Sequence, residues 1–273
     1  MKPSFCYWSV VFGPHTPMMA AAIYSARKAG VREDFHIWSD HPLAGAGFHP
    51  LGAFDRRHFL FKFAFLQKAV ETLPYDYFVW LDGDTVFVRN PADLLGLMQG
   101  SPVHASLESD VCRPENRRPD WWGCPLPMFA ALMRSQGVRS REIYNVNAGF
   151  WIVHRDVAET FRSLAMEFWQ HCRNRGFTFT EEAPLAYATH LLCGDPHRHL
   201  LRTASSVWAS DWTGHFLNRL PDGNPWNFED YLTGEQFAVN PAIVHAMRSK
   251  ALLRAEGIRR GFAIATDPAT IPA

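Results

Sequence analysis

An uninterrupted apolar segment that runs directly into two carboxylates constrains this chain more than any other feature. Residues 77–81 read Tyr-Phe-Val-Trp-Leu, and Asp82-Gly83-Asp84 follow at once, before a second β-prone stretch at 85–88. A short run of apolar, aromatic and β-branched residues predicts a buried strand of a parallel sheet. The segment therefore predicts an α/β fold with two acidic side chains at the carboxyl end of a strand, where open parallel sheets bind ligands.

The segments on either side of this strand predict a Rossmann-like alternation of strands and helices. A strand at 5–12, a helix at 18–29 and a strand at 34–38 form one βαβ unit. A helix at 59–73 follows, and Pro74 stops it. Further elements of this kind are a strand at 143–153, a helix at 156–172 and a helix that Thr180 caps, with Glu181 and Glu182 in its first turn.

The predicted helix at 59–73 has an apolar stripe and a lysine near its start. Its apolar residues recur at helical spacing, which predicts a face buried against the sheet. They are Phe59, Phe63, Leu66 and Val70. From the residues alone, Lys62 is interpreted as a surface lysine whose stem covers apolar side chains.

Composition and charge exclude several classes of protein. Lys plus Arg and Asp plus Glu are both 27, so the chain lacks the charge excess typical of binding to nucleic acid or anionic membranes. Five cysteines without C-x-x-C spacing indicate neither a disulfide framework nor a zinc site. No apolar run approaches the roughly 18 residues of a transmembrane helix. We therefore expect a soluble, cytoplasmic protein, for which peripheral contact with a membrane stays compatible.

The aromatic content of the chain and one polar segment are both unusual. Aromatic residues make up 14% of the chain, including 10 tryptophans. Most rings are expected in the core, and some tryptophans are expected on a sugar-stacking surface. Residues 108–142 are rich in Pro, Arg, Trp and Gly and show no long apolar period, which indicates an inserted loop or mobile lid.

The Asp82-Gly83-Asp84 motif has three possible meanings. In extended chain, residues i and i+2 lie on one face about 6.5–7 Å apart, and two carboxylates so placed suit Mg²⁺ or Mn²⁺ bridging a diphosphate. The glycine between them admits close backbone approach. Asp-Gly-Asp is also good turn chemistry. The third meaning is a haloacid-dehalogenase-like phosphatase, whose D-x-D-x-T pattern fits less well because Thr85 comes one residue early.

Four blocks, in order along the chain, resemble GT-A-fold glycosyltransferases, particularly family 8, which includes glycogenin and bacterial lipopolysaccharide sugar transferases. The first block, 59–95, joins a helix with a basic residue to a strand that ends in D-x-D. YNVNAGFWIVHRDVAETF at 144–161 is similar to the family's N-x-G strand and following helix. FTEEAPLAYA at 179–188 resembles its acidic or amide element, and IVHAMRSKA at 243–251 resembles its late His and Lys element.

The resemblance implies a fold, an activity and a set of site residues. The fold is a GT-A, mixed and mostly parallel sheet flanked by helices, with a loop-rich C-terminal part. The activity is transfer of a hexosyl unit from a nucleotide-diphosphate sugar, expected to be a UDP-sugar, to a glycan or lipid-linked glycan in polysaccharide biosynthesis. It is metal-assisted by Mn²⁺ or Mg²⁺ and retains anomeric configuration. A GT-A scaffold that binds sugar or nucleotide without turnover is the non-catalytic alternative.

Residue by residue, the resemblance assigns three roles. The metal ligands are Asp82, Asp84 and His245. One of Glu181 and Glu182 lies beside the reacting anomeric carbon, while Gly149 is where backbone passes close to the sugar. The donor-binding residues are Phe12, Gly13, Lys62, Gly83, Asn147, Ala148, Gly149 and Lys250. The sequence departs from the family after the first strand, where Gly13-Pro14-His15 replaces an acidic residue.

The domain organisation that follows is a single catalytic domain over 1–273. Residues 1–107 form its nucleotide-binding half, and 108–142 form an acceptor-side lid that orders when donor binds. Residues 143–250 complete the metal site and contact the acceptor, and 251–273 form a C-terminal tail.

Overall fold

A seven-stranded mixed sheet forms the centre of the molecule. The computed structural model describes residues 3–56, 59–91, 94–98, 100–193, 200–202, 206–211, 226–229 and 232–259. The strands of the central sheet are β1 (Phe5–Val11), β2 (Phe35–Ser39), β3 (Gly47–Pro50), β4 (Tyr77–Leu81), β6 (Val103–Asp110), β9 (Tyr144–His154) and β10 (Leu200–Arg202). Their order across the sheet is β10-β6-β9-β4-β1-β2-β3.

Most neighbouring strands of this sheet run parallel. The pairs β1–β2, β1–β4, β2–β3 and β6–β10 are parallel, whereas β9 is antiparallel to both β4 and β6. The helices are α1 (His15–Lys28), α2 (Phe61–Thr72), α3 (Leu94–Met98), α4 (Leu126–Ser135), α5 (Arg155–Arg173), α6 (Glu182–Cys193) and α7 (Lys250–Arg259). The predicted mixed, mostly parallel sheet flanked by helices is confirmed.

Helices cover both faces of the sheet because its central strands are apolar on both sides. On one face Trp8, Trp80 and Trp151 pack among α2, α5 and α6, with the rings of Trp8 and Trp80 4.7 Å apart. On the other face Tyr7 and Val79 pack against α1 and α3. This double burial explains why the strands read as continuous apolar runs, as in parallel sheets generally.

A second, three-stranded sheet lies beside the end of β4. It consists of β5 (Thr85–Phe87), β14 (Ile243–His245) and β11 (Trp208–Ser210), in the order β11-β14-β5. β14 runs antiparallel to β5, and His245 is paired with Thr85. A late strand of the chain therefore lies directly beside the Asp82-Gly83-Asp84 turn.

Two short hairpins and a 3-10 turn complete the described elements. β7 (Asp120–Trp121) pairs with β8 (Cys124–Pro125), and β12 (Trp226–Glu229) pairs with β13 (Gln236–Val239). A 3-10 turn at Met247–Ser249 leads into α7. The part of the predicted C-terminal tail from 260 onward lies outside the described residues. Within the part that the structure describes, no helix has the length and apolarity needed to cross a bilayer.

The structure corrects two details of the sequence prediction. Helix α2 begins at Phe61, so Phe59 precedes it and is 48% exposed, while Phe63 and Leu66 are buried as predicted and Val70 is partly buried. Residues 108–142 are not a structureless loop: they contain α4, whose Phe129 and Met133 are buried in the main core. Its apolar period is short, and the surrounding Pro and Gly residues obscure it in the sequence.

Candidate active site

A cleft of about 220 Å³ opens beside the carboxyl ends of β1 and β4. The first residues of α6 and the residues that follow β14 also line it. Four lining side chains are acidic, namely Asp82, Asp84, Glu181 and Glu182, and two are lysines, Lys62 and Lys250. The remaining lining residues include Val10, Val11, Phe12, His15, Phe59, Phe61, Trp80, Gly83, Trp122, Asn147, Thr180, His245 and Met247.

The predicted metal ligands lie together in this cleft. One ligand atom from each of Asp82, Asp84 and His245 lies within 4.8 Å of the other two. The Nε2 atom of His245 is 3.1 Å from Oδ1 of Asp84 and 3.9 Å from Oδ2 of Asp82. Neighbouring ligands of an octahedral Mg²⁺ with bonds of about 2.1 Å are roughly 3 Å apart. The three side chains therefore fit a divalent cation.

Two strand contacts hold the ligands in place. The pairing of β5 with β14 brings His245 beside the acidic turn, and the backbone N–H of Ala246 donates to the carbonyl oxygen of Asp84 at 2.8 Å. Asp82 follows β4, and its backbone N–H donates to the carbonyl of Gly149 at 2.9 Å. Backbone hydrogen bonds thus bring Asp84 and His245 together, although the two residues are 161 positions apart in the sequence.

Lys62 is buried within the cluster of carboxylates. Its Nζ lies 2.9 Å from Asp82 and 2.7 Å from Glu181, and it donates to the carbonyl of Ala148 at 3.3 Å. Burial alone would lower the pKa of Lys62, but the two carboxylates outweigh it and raise the pKa above its ordinary value. The surface interpretation of Lys62 is wrong, because the side chain is 3% exposed.

The Lys62 contact also orients Asp82. Its Oδ1 atom accepts hydrogen bonds from Lys62 and from the indole N–H of Trp80, at 2.9 and 2.8 Å. The other carboxylate oxygen, Oδ2, is the one near His245. Oxygens fixed in this way are typical of the supporting contacts around metal ligands.

Lys250 provides the second cation of the cleft. Its Nζ is 3.0 Å from Oδ2 of Asp84, and its side chain is 49% exposed. Burial would raise the pKa of Asp84, but His245 and Lys250 overcome this effect and hold the pKa well below its usual range. Because Lys250 lies at the first position of α7, a charged group there can reach both the acidic turn and a ligand in the cleft.

Glu181 and Glu182 have different surroundings although they are neighbours. Glu181 is 8% exposed and paired with Lys62, whereas Glu182 accepts from the indole N–H of Trp122 at 2.5 Å and from the backbone N–H of Ala148 at 3.4 Å. Burial, together with Glu108 and Glu181, raises the pKa of Glu182 well above its ordinary value. Helix α6 begins at Glu182, and the hydroxyl of Thr180 is buried without a hydrogen-bond partner, so the predicted Thr180 cap is wrong.

A buried amide pair lies behind these carboxylates. Asn145 donates to Glu108 at 2.6 Å, and Asn147 donates to Glu108 at 3.4 Å. The Oδ1 atom of Asn147 accepts from the backbone N–H of Gly149 at 2.9 Å. Asn147 is one of the residues that line the cleft. Glu108 was missed by the sequence analysis, because it lies in the segment taken as a lid.

Gly149 and Ala148 lie behind the cleft rather than on its wall. A Cβ atom at Gly149 would lie 2.7 Å from the ring of His245 and 2.8 Å from Oδ1 of Asn147. The glycine therefore makes room for the His245 ring, whereas the sequence interpretation had it make room for the sugar. Ala148 offers its backbone, through a carbonyl to Lys62 and an N–H to Glu182.

Of the residues after β1, some line the cleft and others stabilise the turn that leads into α1. Phe12 lines the cleft, whereas the backbone N–H of Gly13 donates to Asp40 at 2.7 Å. The side chain of Thr16 donates to the same carboxylate at 2.7 Å, so Asp40 fixes the turn between β1 and α1. Gly83 lines the cleft, and a Cβ there would be 3.3 Å from the carbonyl oxygen of His15, a tight approach of two backbones.

Comparison with known proteins supports the fold. No protein-family model and no curated protein sequence matches the chain. Among solved structures, it is similar to mouse xyloside xylosyltransferase 1 in the apo form, with a TM-score of 0.55 over 90% of this chain and 99% of that chain. The chain has a GT-A fold. At 11% sequence identity, this likeness shows the fold alone.

Proposed function

We propose that this protein is a metal-dependent glycosyltransferase that moves a hexosyl unit from a nucleotide-diphosphate sugar, with UDP-sugar as donor, to a glycan or lipid-linked glycan. The acceptor and donor assignments extend the family 8 resemblance of the sequence. The observation that carries the proposal is the group of Asp82, Asp84 and His245 at the carboxyl end of β4 in a GT-A fold. The carboxylates of Glu181 and Glu182 line the same cleft. Four acidic and two basic side chains line one cleft, and such an excess of carboxylates favours a bound cation.

The donor-binding residues act mainly through charge and position. Asp82, Asp84 and His245 would hold Mn²⁺ or Mg²⁺, which acts as a Lewis acid on the diphosphate leaving group. Lys250, half exposed beside Asp84, is placed to meet a phosphate oxygen. Lys62 is proposed to keep Asp82 and Glu181 charged and fixed, because its ammonium already contacts both. Phe12, Gly83 and Asn147 supply the remaining wall of the donor site.

We assign Glu182, not Glu181, to the reacting anomeric carbon. Within the described residues, Glu181 is neutralised by Lys62, whereas Glu182 has hydrogen-bond donors but no cationic partner. A carboxylate without a counterion gains most when positive charge develops on a neighbouring carbon, as in oxocarbenium-like transition states. The raised pKa of Glu182 has the same cause, since its negative charge is poorly compensated before substrate binds. Retention of configuration is part of this proposal.

Calorimetry tests the metal site of this proposal, and a phosphatase assay tests the phosphatase alternative. Titration calorimetry with UDP in Mn²⁺ should show binding to the wild type and at least a tenfold loss for Asp84→Asn, since the carboxylate charge holds the cation. Asp156→Asn, at an exposed carboxylate in α5, is the matched control and should bind UDP as the wild type does. Equal UDP affinity in Asp84→Asn would refute the metal assignment. Phosphate release from p-nitrophenyl phosphate would favour the phosphatase.

A further inference from the structure

Two aromatic residues at the cleft share an unusual backbone conformation. Among the described residues, Phe59 and Trp122 are the non-glycine positions with positive φ, at 58° and 52°. Both line the cleft, and both are large apolar side chains left about half exposed, at 48% and 53%. Bulky residues rarely adopt this conformation, and when they do the strain is often found at ligand sites.

Trp122 occupies the tip of the β7–β8 hairpin. Trp121 pairs with Cys124, so the loop consists of Trp122 and Gly123, with φ of 52° and 74°. A two-residue hairpin loop with positive φ at both positions is a type I′ turn, for which Asn-Gly is strongly favoured. The chain therefore has a tryptophan where local structure alone favours asparagine.

The hairpin is anchored so that this tryptophan faces the site. Trp121 is 2% exposed, and its ring packs edge to face against Phe129 of α4 at 4.9 Å. The next residue, Trp122, faces the cleft and donates its indole N–H to Glu182 at 2.5 Å. The buried Trp121 therefore anchors the hairpin, and the exposed ring of Trp122 lies against the carboxylate of Glu182.

Phe59 lies beside the lysine that contacts the other carboxylate. It precedes α2, and its ring centroid is 5.9 Å from Nζ of Lys62, the ammonium that contacts Glu181. Trp122 thus contacts Glu182 directly, and Phe59 lies beside the lysine that contacts Glu181. Flat apolar rings beside carboxylates suit a pyranose, whose C–H face packs on an aromatic ring while its hydroxyls donate to oxygen.

We propose that Trp122 and Phe59 form the subsite that binds a pyranose ring of the acceptor glycan, a role that rests on the proposed glycosyl transfer. The metal ligands Asp84 and His245 are each 3% exposed, so the donor diphosphate belongs to the inner part of the cleft. The two rings are half exposed and lie at its outer part, where an acceptor arrives from solvent. A sugar stacked on Trp122 lies next to Glu182, the residue assigned to the reacting carbon.

Trp122→Asn tests the subsite without harming the fold, because it creates the preferred Asn-Gly turn. Its melting temperature is expected to equal or exceed that of the wild type. Saturation-transfer NMR is recorded with methyl β-D-glucopyranoside, methyl β-D-galactopyranoside and methyl α-D-mannopyranoside, each with and without UDP and Mn²⁺. At least one glycoside should bind the wild type through its ring C–H protons, and Trp122→Asn should weaken that binding fivefold or more. Phe59→Gly should weaken it as well.

The control and the contrary outcomes are specific. Met128→Ala removes an apolar side chain that is 48% exposed on α4 and not part of the cleft, and it should bind the glycoside as the wild type does. Equal glycoside binding by Trp122→Asn, or no glycoside binding by the wild type in either condition, would overturn the subsite. A fivefold loss of Mn²⁺–UDP affinity in Trp122→Asn would also overturn it, since the ring would then serve the donor. Failure of UDP to bind the wild type, with Trp122-dependent glycoside binding intact, would instead refute the proposed function alone.

Discussion

Replacing Lys62 by methionine should destabilise the protein strongly although the unbranched apolar stem of the side chain is largely kept. Lys62 is 3% exposed and contacts Asp82 at 2.9 Å and Glu181 at 2.7 Å, so methionine leaves two carboxylates without their cation. Removing one partner of a buried ion pair costs about 3–5 kcal/mol. The side chain of Asp82 is 27% exposed and partly screened by water, whereas that of Glu181 is 10% exposed. We therefore expect a loss of about 3–4 kcal/mol.

Urea unfolding in EDTA at pH 7.5 measures this loss in the free energy of unfolding. The slope against urea should stay unchanged, because the surface exposed on unfolding is the same. Lys68→Met, at an exposed position of the same helix, is the control and should cost less than about 1 kcal/mol. A loss below about 1 kcal/mol for Lys62→Met would refute the buried ion pair.

Further predictions concern the carboxylate, the glycine, the lid and the metal. Glu182→Gln should lower kcat at least about 100-fold with donor affinity retained. Because the folded pKa of Glu182 is raised, the same variant should be more stable than the wild type in urea at pH 8, with the gain absent well below pH 4.5. Gly149→Ala should cost about 1–3 kcal/mol in urea unfolding and weaken Mn²⁺ binding in calorimetry, because its Cβ would overlap the His245 ring. Trypsin should cut 112–123 more slowly when UDP and Mn²⁺ are bound, and equal rates would contradict a lid. Mn²⁺ should bind more tightly than Mg²⁺ in calorimetry, since one ligand is an imidazole.

The sheet and the acidic turn were predictable because their signals are local. The strand Tyr77–Leu81 has the bounds that its apolar run predicts, and Asp82 and Asp84 lie at its carboxyl end. Uninterrupted apolar segments can be recognised in sequence whenever both faces of a strand are buried. The contribution of His245 from 161 residues further along came from the family resemblance, because nothing local distinguishes it from the other histidines.

The partners of Lys62 and the exposed aromatic rings were not predictable in this way. A lysine in an apolar helix reads as a surface residue until the carboxylates of β4 and of the residue before α6 are placed around it. Phe59 was assigned to the buried stripe because helical spacing carries no information on where the helix begins. The positive φ of Phe59 and Trp122 is set by tertiary contacts, against the local preference of each residue.

Helix α4 shows a different reason for failure. Its ten residues, Leu126–Ser135, begin with a proline at the second position and follow a Trp-Trp-Gly segment typical of a loop. The helix is stabilised mainly by packing Phe129 and Met133 into the core, a tertiary effect that short helices generally require. As a result, the exposed, polar character expected of the whole insert is kept on either side of this helix, mainly at 112–120 and 134–142.

Turnover of nucleotide sugars is the most direct test of metal-dependent glycosyl transfer by this protein. UDP-glucose, UDP-galactose, UDP-N-acetylglucosamine, UDP-xylose and GDP-mannose would each be incubated with the protein in Mn²⁺ or in EDTA, and release of nucleoside diphosphate measured. We expect release from at least one UDP-hexose in Mn²⁺, none in EDTA, and loss of release in Asp84→Asn with the fold intact. Release that is equal in EDTA, or no release from any donor together with no UDP binding in Mn²⁺, would contradict a metal-dependent glycosyltransferase.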